Sequence, residues 1–323
     1  MLIRTLTAFA LAAATAGPAV AADPAANYPD RPIRLVISFP AGSGSDIIAR
    51  YLGKQASATL GQPIVVEPKV GAQGSVAARE VARAKPDGYT LLLGTNSTHA
   101  ANVYMMKDIG YDPVKDFSPV TQLTSNPLMM VVRADLPARN MTEFLRYARE
   151  NPGKLNYGTG NSGGLAAAQL LKSLTGIQSL GVPYAGTPQA VTDLIGGRLD
   201  YMITDVMVTR PYLESGKLRA LGVTSRQRLP SSPDVAPLAE SGVDGYEFAS
   251  WVGLFAPAGT PPAIVNKVNA AFVAALQAPD TRQFFDSMGM LPAPGTPQEF
   301  SAYIRAQLDL WGKLTRDAGV SVL

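Results

Sequence analysis

The chain has 323 residues, a formal net charge of +3, no cysteine and a single histidine, His99. Disulfides, thiolate metal sites, cysteine nucleophiles and histidine-rich zinc sites are therefore excluded, and the scattered basic residues form no stripe for nucleic acid. With 46% apolar residues, a chain of this length can form two domains of ordinary size or one large one.

Residues 1–22 have the pattern of a cleaved secretory signal peptide. Arg4 supplies the positive charge, Leu6–Ala16 forms the apolar stretch, and Ala19–Ala21 has the small residues of a cleavage site. A cut after Ala21 and a cut after Ala22 fit equally well. The apolar stretch is shorter than the roughly 20 residues needed to span a bilayer, so we expect an exported protein.

Runs of aliphatic and β-branched residues alternate with helical patterns along the rest of the chain. This alternation is typical of an α/β fold with mostly parallel strands. A loop is predicted over Asp112–Pro119. The predicted strands are Ile33–Phe39, Ile64–Val66, Thr90–Thr95, Leu128–Val132, Leu155–Thr159, Leu180–Tyr184, Leu199–Thr204, Leu218–Thr224 and Ser250–Ala256.

The loop Pro40–Asp46 follows the first predicted strand and opens a helix. Gly42 and Gly44 allow backbone N–H groups to approach a ligand, and the helix start carries partial positive charge. A carboxylate can be held there without a salt bridge. An ordinary tight turn, with Ser45 or Asp46 as the helix N-cap, fits the residues equally well, whereas nucleotide binding is disfavoured because no Walker lysine follows the glycines.

Gly158–Gly164 repeats this pattern about 120 residues later, with the hydroxyl groups of Thr159 and Ser162 before another helix. The pair of loops favours a ligand site, because open α/β sheets bind ligands outside the carboxyl ends of their strands. Two such groups of donors are expected to grip a dicarboxylate.

Several other residues end predicted strands and are candidates for the same cleft. Ser97 and Thr98 follow the third strand together with His99, which is expected to be structural rather than catalytic. Asp205 can orient donors, bind a ligand amine or cap a helix, and the sequence leaves these readings open. Trp251 can stack on a ligand or belong to the core.

Two capping pairs and one apolar stripe mark further helices. Asn140 with Glu143, and Thr296 with Glu299, are typical helix openings. Pro261–Gln277 places its apolar residues on one side, as an amphipathic helix does.

The motifs, taken in order, resemble one family over nearly the whole mature chain. The matching stretches are Tyr28-Pro29, Pro32-Ile33, Leu35-Val36, Phe39–Gly42 with Asp46 and Arg50, Gly71-Ala72 with Gly74, Pro86–Leu91, Asp116–Val120, Pro152–Leu155 with Tyr157-Gly158, Pro183-Tyr184 with Gly186, Gly196-Gly197 with Leu199-Asp200, Gly216–Leu221, and Trp251 with Gly253-Leu254 and Ala256–Pro261. The family is that of the periplasmic binding proteins of tripartite tricarboxylate transporters, also called Bug proteins. One departure is Gly181, which replaces a histidine common in the family.

The resemblance implies a two-lobed periplasmic-binding-protein (Venus flytrap) fold of the α/β class, each lobe a mixed sheet flanked by helices. Residues 23–124 and 249–323 would form the first lobe and residues 125–248 the second. It further implies a monomeric periplasmic protein that binds a small carboxylate and works with the large and small membrane subunits of a transporter. No catalytic residue, cofactor or metal is expected.

The resemblance and the loops together give a set of expected ligand-binding residues. They are Phe39, Ala41, Gly42, Ser43, Ser45, Asp46, Ser97, Thr98, Gly158, Thr159, Ser162, Gly163, Gly164, Tyr184, Ala185, Gly186, Thr187 and Asp205. Among them, Asp46 is expected to stabilise its own helix start more than to touch an anion.

Two other functions remain open from the sequence. A sensory module that reports carboxylate availability would have the same residues. An exported carboxylate-ester hydrolase would need His99 as its base, because no other histidine is present.

Overall fold

The computed structural model describes residues 25–317 of the chain. The predicted signal peptide and both candidate cleavage sites lie outside the described residues. Among residues 25–317, no helix has the length and apolar character that a membrane crossing requires.

Strands and helices alternate along the described chain, as the sequence predicts. The strands are β1 (Ile33–Ile37), β2 (Ile64–Pro68), β3 (Thr90–Thr95), β4 (Phe117–Arg133), β5 (Leu155–Thr159), β6 (Ser179–Pro183), β7 (Tyr201–Asp205), β8 (Leu218–Val223), β9 (Ala249–Pro257) and β10 (Leu291–Pro292). The helices are α1 (Gly44–Leu60), α2 (Ser75–Ala82), α3 (Asn102–Met105), α4 (Met141–Glu150), α5 (Ser162–Thr175), α6 (Thr187–Ile195), α7 (Val206–Glu214), α8 (Pro262–Gln277), α9 (Pro279–Met288) and α10 (Pro297–Asp317). Every predicted strand has a counterpart, and only β4 departs from its predicted ends by more than two residues.

The described strands pair in the order β2-β1-β3-β9-β4-β7-β5-β6, and β8 and β10 also pair with β4. β1 is parallel to β2 and β3, and β5 is parallel to β6 and β7. β9 is antiparallel to β3 and β4, and β4 is antiparallel to β7. Within each half of the molecule, the carboxyl ends of the parallel strands therefore lie at a common edge.

β4 is shared by the two halves of the molecule. Its residues Phe117–Pro127 pair with β9, and its residues Leu128–Val132 pair with β7. The sequence predicted a loop over Asp112–Pro119 and a strand that begins at residue 128. This prediction is wrong, because β4 begins at Phe117. Buried polar residues such as Thr121 and Thr124 interrupt the apolar signal there. The lobe limits near residues 125 and 249 stay a prediction.

Two apolar layers cover the sheet, because successive residues of a strand point to opposite faces. Leu35 and Leu91 belong to the layer with α1 and α8, whereas Val36 and Leu92 belong to the layer with α2 and α10. In the second half the same two layers contain α6 with α7 and α4 with α5. Each buried aliphatic side chain contributes about 1.5–3 kcal/mol, so the strand ends are held in place from both faces.

Two predicted capping pairs are confirmed. Asn140 Oδ1 accepts the N–H of Glu143 at 2.9 Å, and α4 begins at the next residue. Thr296 Oγ1 accepts the N–H of Glu299 at 3.2 Å, while the Glu299 carboxylate accepts the N–H of Thr296 at 2.8 Å. Reciprocal bonds of this kind satisfy donors that a helix start otherwise leaves unpaired.

Candidate functional site

Four helices begin directly after parallel strands, and their first turns meet at one cavity. α1 follows β1, and α5, α6 and α7 follow β5, β6 and β7. A helix start carries unpaired N–H groups and partial positive charge, so this arrangement favours an anion. The residues that line this space, called the cleft cavity below, are Phe39, Ser43, Gly44, Ser45, Ile48, Thr95, Asn96, Ser97, Asn126, Asn161, Thr187, Asp205, Ser250, Trp251 and Val252.

The start of α1 supplies backbone donors to the cleft cavity. Its N-cap is Ser43, whose hydroxyl accepts the N–H of Asp46 at 3.4 Å, so the prediction of Ser45 or Asp46 as the cap is wrong. Gly42 has a φ of 77°, a left-handed conformation that turns the chain just before the N-cap, so that α1 begins at Gly44. Within residues 25–317, the N–H groups of Gly44 and Ser45 donate no hydrogen bond and are left for a ligand.

Asp46 is placed beside the cavity rather than in its wall. Its carboxylate accepts the N–H of Gly42 at 3.0 Å and pairs with Arg50 at 2.8 Å. These contacts fix the shape of the loop that precedes α1. Ala41 and Gly42 are exposed at the outer side of this loop.

The start of α5 faces α1 from the second half of the molecule. Asn161 is its N-cap and accepts the N–H of Gly164 at 2.9 Å, and the N–H of Ser162 donates to the Ser97 hydroxyl at 3.2 Å. In the described chain the N–H of Gly163 has no acceptor. A Cβ on Gly163 would lie 3.3 Å from Cβ of Ser250, so a larger residue would crowd the cavity wall.

The loops of the two halves are in contact, which closes the cleft. A Cβ on Gly186 would lie 2.6 Å from Cγ of Pro40, and a Cβ on Gly42 would lie 3.8 Å from Cγ of Pro188. The close approach at Gly186 leaves no room for a side chain. Together with the Ser162–Ser97 hydrogen bond, these contacts describe a closed arrangement.

Polar atoms without partners concentrate around the cleft cavity. Asn96 Nδ2, Asn126 Oδ1 and Ser162 Oγ are buried and make no hydrogen bond within the described chain. Buried polar groups in proteins are nearly always paired, so such atoms point to a missing ligand or water. Ser162 does not line the cleft cavity itself but a neighbouring one.

The sequence analysis missed several lining residues. They are Ile48, Thr95, Asn96, Asn126, Asn161, Ser250 and Val252. Asn96 directly follows a correctly predicted strand, and Asn161 lies inside a predicted loop, so strand-end position was a usable signal for both. Asn126 and Ser250 come from the two strands that link the halves, and only the sheet pairing brings them to the cavity.

Asp205 is the ionisable side chain of the cavity wall. It is 8% exposed, and burial raises the pKa of its carboxyl to about 6. It occupies the N-cap position of α7, as one reading of the sequence has it, but its side chain accepts no capping hydrogen bond. Its Oδ2 lies 3.3 Å from where a Cβ on Gly44 would be, at the start of α1.

Other expected residues lie around the cavity rather than in its wall. Gly158 is inside β5, where a Cβ would meet Leu199 at 2.5 Å, and the Thr98 hydroxyl bonds the backbone of Thr95. The Tyr184 hydroxyl donates to Asp193 at 2.8 Å.

Two larger grooves adjoin the cleft cavity. Tyr184 and Ala185 line one of about 320 Å³, which shares Phe39 with the cleft cavity. Thr159 and Ser162 line another of about 290 Å³, which shares Asn161 with it. Those expected residues that line a space are thus divided among three adjoining ones.

His99 is outside all three spaces. It is fully buried, its ring stacks on Phe255 with centroids 3.7 Å apart, and its Nδ1 lies 2.9 Å from the Thr98 hydroxyl. Burial lowers the pKa of the imidazole to about 3. Trp251 lines the cleft cavity, and its indole N–H donates to Gln307 at 3.0 Å.

The fold and the cleft are those of a periplasmic solute-binding protein. A solved structure of Rpa4515 from R. palustris with adipate superposes with a TM-score of 0.90 at 34% identity, covering 92% of this chain and 100% of that one. The periplasmic binding protein BugD gives 0.86 at 33% identity, covering 92% and 100%. MatC (Rpa3494) from Rhodopseudomonas palustris with bound malate gives 0.83 at 35% identity, covering 89% and 99%.

The family follows from the sequence match. The model of the tripartite tricarboxylate transporter family receptor matches residues 48–320, which is most of the chain. This chain belongs to that family. The members solved with adipate and malate hold small carboxylates, which agrees with a solute-binding role.

Proposed function

We propose that this protein captures a small carboxylate, a di- or tricarboxylate or an aromatic acid, in the cleft cavity and delivers it to a tripartite membrane transporter. The observation that carries the proposal is the convergence of four helix starts on a cavity whose lining contains no Lys, Arg or His. Backbone and hydroxyl donors at helix starts are sufficient to bind an organic anion.

The ligand contacts in this proposal come from both halves of the molecule. From the first half, the N–H groups of Gly44 and Ser45 and the hydroxyl of Ser97 meet the anion. From the second half, the hydroxyl of Thr187, which lines the cavity, meets it together with the free N–H of Gly163, which lies in the first turn of α5 beside the wall residue Ser250. Because the donors are fixed by the sheet and its helices, little reorganisation is needed on binding.

Closure of the two halves around the ligand strengthens each of these bonds. The loop before α1 and the loop before α6 meet at Pro40 and Gly186, and this contact keeps bulk water from one side of the cavity. Hydrogen bonds to a charged group are stronger where water is excluded. The closed form then presents a surface that membrane subunits can distinguish from the open one.

The remaining features of the proposal rest on the sequence, on the family and on the placement of His99. The protein is a binding protein without catalytic activity, since its one histidine is packed against Phe255 away from the cavity. It acts in the periplasm as a monomer after cleavage near Ala21 or Ala22, and it works with the large and small membrane subunits of its transporter.

Calorimetric titration of refolded, ligand-free protein tests the proposal. The panel contains malate, succinate, citrate, adipate, glutamate and benzoate, each added at pH 7. We expect at least one acid to bind with a Kd of roughly 10 μM or tighter and to raise Tm by mass action. If no acid of the panel binds or raises Tm, the proposal is wrong.

A further inference from the structure

Asp205 is the one ionisable residue among the described residues that line the cleft cavity, and no positive side chain accompanies it there. Its carboxyl accepts no hydrogen bond from another described residue. A buried carboxylate without a cation or donor is strongly unfavourable, and a partner restores much of the loss. Apart from the backbone N–H of Asp205 itself, the described chain provides no such partner, so the ligand is the natural source of one.

The acceptors of the cavity are grouped on one side. Asp205 lies opposite Leu128 in the pairing of β7 with β4, and Asn126 lies two residues earlier on β4, on the same face of the sheet. Asn126 Oδ1 is also buried without a partner. A ligand group with several donors can therefore satisfy Asp205 and Asn126 together.

The free donors lie next to these acceptors. Asp205 Oδ2 is 3.3 Å from the Cβ position of Gly44, whose N–H is free. If Gly44 and Ser45 hold a carboxylate of the ligand, the substituent on the carbon next to that carboxylate would lie beside Asp205. An ionised Asp205 would repel a second carboxylate at this point and attract a cation.

We propose that Asp205 is a specificity-determining residue that pairs with a protonated amine on the ligand, so that the cavity selects amino-carboxylates over plain acids of the same length. This inference rests on the proposed function, because it assumes that the ligand binds in the cleft cavity. Donors at the helix starts hold the carboxylate, and Asp205 with Asn126 holds the ammonium group.

Matched ligand pairs that differ only by the amine test the inference. Kd is measured by calorimetry for glutamate against glutarate and for aspartate against succinate. We expect the amine-bearing member of at least one pair to bind roughly ten- to a hundredfold more tightly, as a charge-assisted hydrogen bond allows. In Asp205→Asn this preference disappears or reverses, while Asp244→Asn, which removes one charge from an exposed position, leaves it unchanged.

Each other outcome contradicts the inference. If the plain diacid binds more tightly to the unaltered protein and Asp205→Asn keeps that affinity, Asp205 acts as a protonated donor and the assignment is overturned. If neither member of either pair binds while citrate or benzoate does, the proposed function stands and this inference fails. If no acid binds, both fail. A melting curve shows that Asp205→Asn is folded before it is titrated.

Discussion

His99 is buried in the fold. It follows a strand beside serine and threonine, where the sequence analysis expects a structural rather than a catalytic histidine, and only the hydrolase alternative would need it as a base. In the structure its ring stacks on Phe255 with centroids 3.7 Å apart and meets Phe117 edge-on with centroids 4.7 Å apart. A charged imidazole is strongly disfavoured there, because nothing compensates for its desolvation.

Replacing His99 with phenylalanine is expected to reduce the acid sensitivity of folding. The folded-state pKa of about 3 lies below the ordinary value of 6.5, so the stability that His99 contributes is present above pH 6.5 and is lost as the pH falls. Between pH 7 and about pH 4.5 this loss amounts to about 2–3 kcal/mol. Urea unfolding at both values measures it. An equal loss in His99→Phe and the unaltered protein would show that the imidazole is not the group responsible.

Asp205→Asn is expected to stabilise the ligand-free protein at neutral pH. The folded-state pKa of about 6 lies above the ordinary value of 3.8. The stability that the protonated Asp205 carboxyl contributes is therefore present at low pH and is lost as the pH rises through 6. The neutral amide avoids this loss, and its gain in unfolding free energy should be about 2 kcal/mol larger at pH 7 than at pH 4. Chemical denaturation at the two values checks the difference, and a gain independent of pH would refute it.

The start of α6 is one place where the two halves touch. Gly186 is extended, with a φ of −175°, so alanine is compatible with its backbone. Its Cβ would meet Cγ of Pro40 at 2.6 Å and Cδ at 2.7 Å, and neither ring atom can move without the loop. A side chain at this position would therefore hinder the closing of the two halves, and it would leave the fold of each half unchanged.

Gly186→Ala is expected to weaken ligand binding roughly tenfold with little change in Tm of the ligand-free protein, because overpacking is relieved when the cleft opens. The measurement is calorimetry with the acid that binds the unaltered protein most tightly. Gly196→Ala, after the last residue of α6, is the matched control, since its Cβ makes an ordinary contact at 3.4 Å. Unchanged affinity in Gly186→Ala would contradict the closed contact.

Local sequence signals predicted most helices and strands, but they did not predict the first part of β4. The apolar strands β3 and β5 and the capped helices α4 and α10 begin where the sequence indicates, because their signals are contained in a few adjacent residues. The sequence predicted a loop over Asp112–Pro119 and no strand over residues 120–127, because the pairing partner of this part of β4 is the distant strand β9. Such a pairing leaves no mark on neighbouring residues.

At the scale of the whole molecule, the sequence located the loops of the site better than its walls. The glycine-rich loops are contiguous, so their residues could be named together. Asn126 and Ser250 come from strands more than 100 residues apart and meet because β4 pairs with β9. A single sequence contains no local signal for that convergence, so the place of Asn126 and Ser250 in the cavity wall could not be predicted.

A crystal structure with the tightest-binding acid tests the central claim most directly, namely that helix starts from both halves hold an organic anion without a positive side chain. We expect carboxylate oxygens within about 3.2 Å of the backbone nitrogens of Gly44 or Ser45 on one side and Gly163 on the other. A carboxylate paired with Lys or Arg outside the cleft cavity, with these N–H groups left empty, would contradict the account.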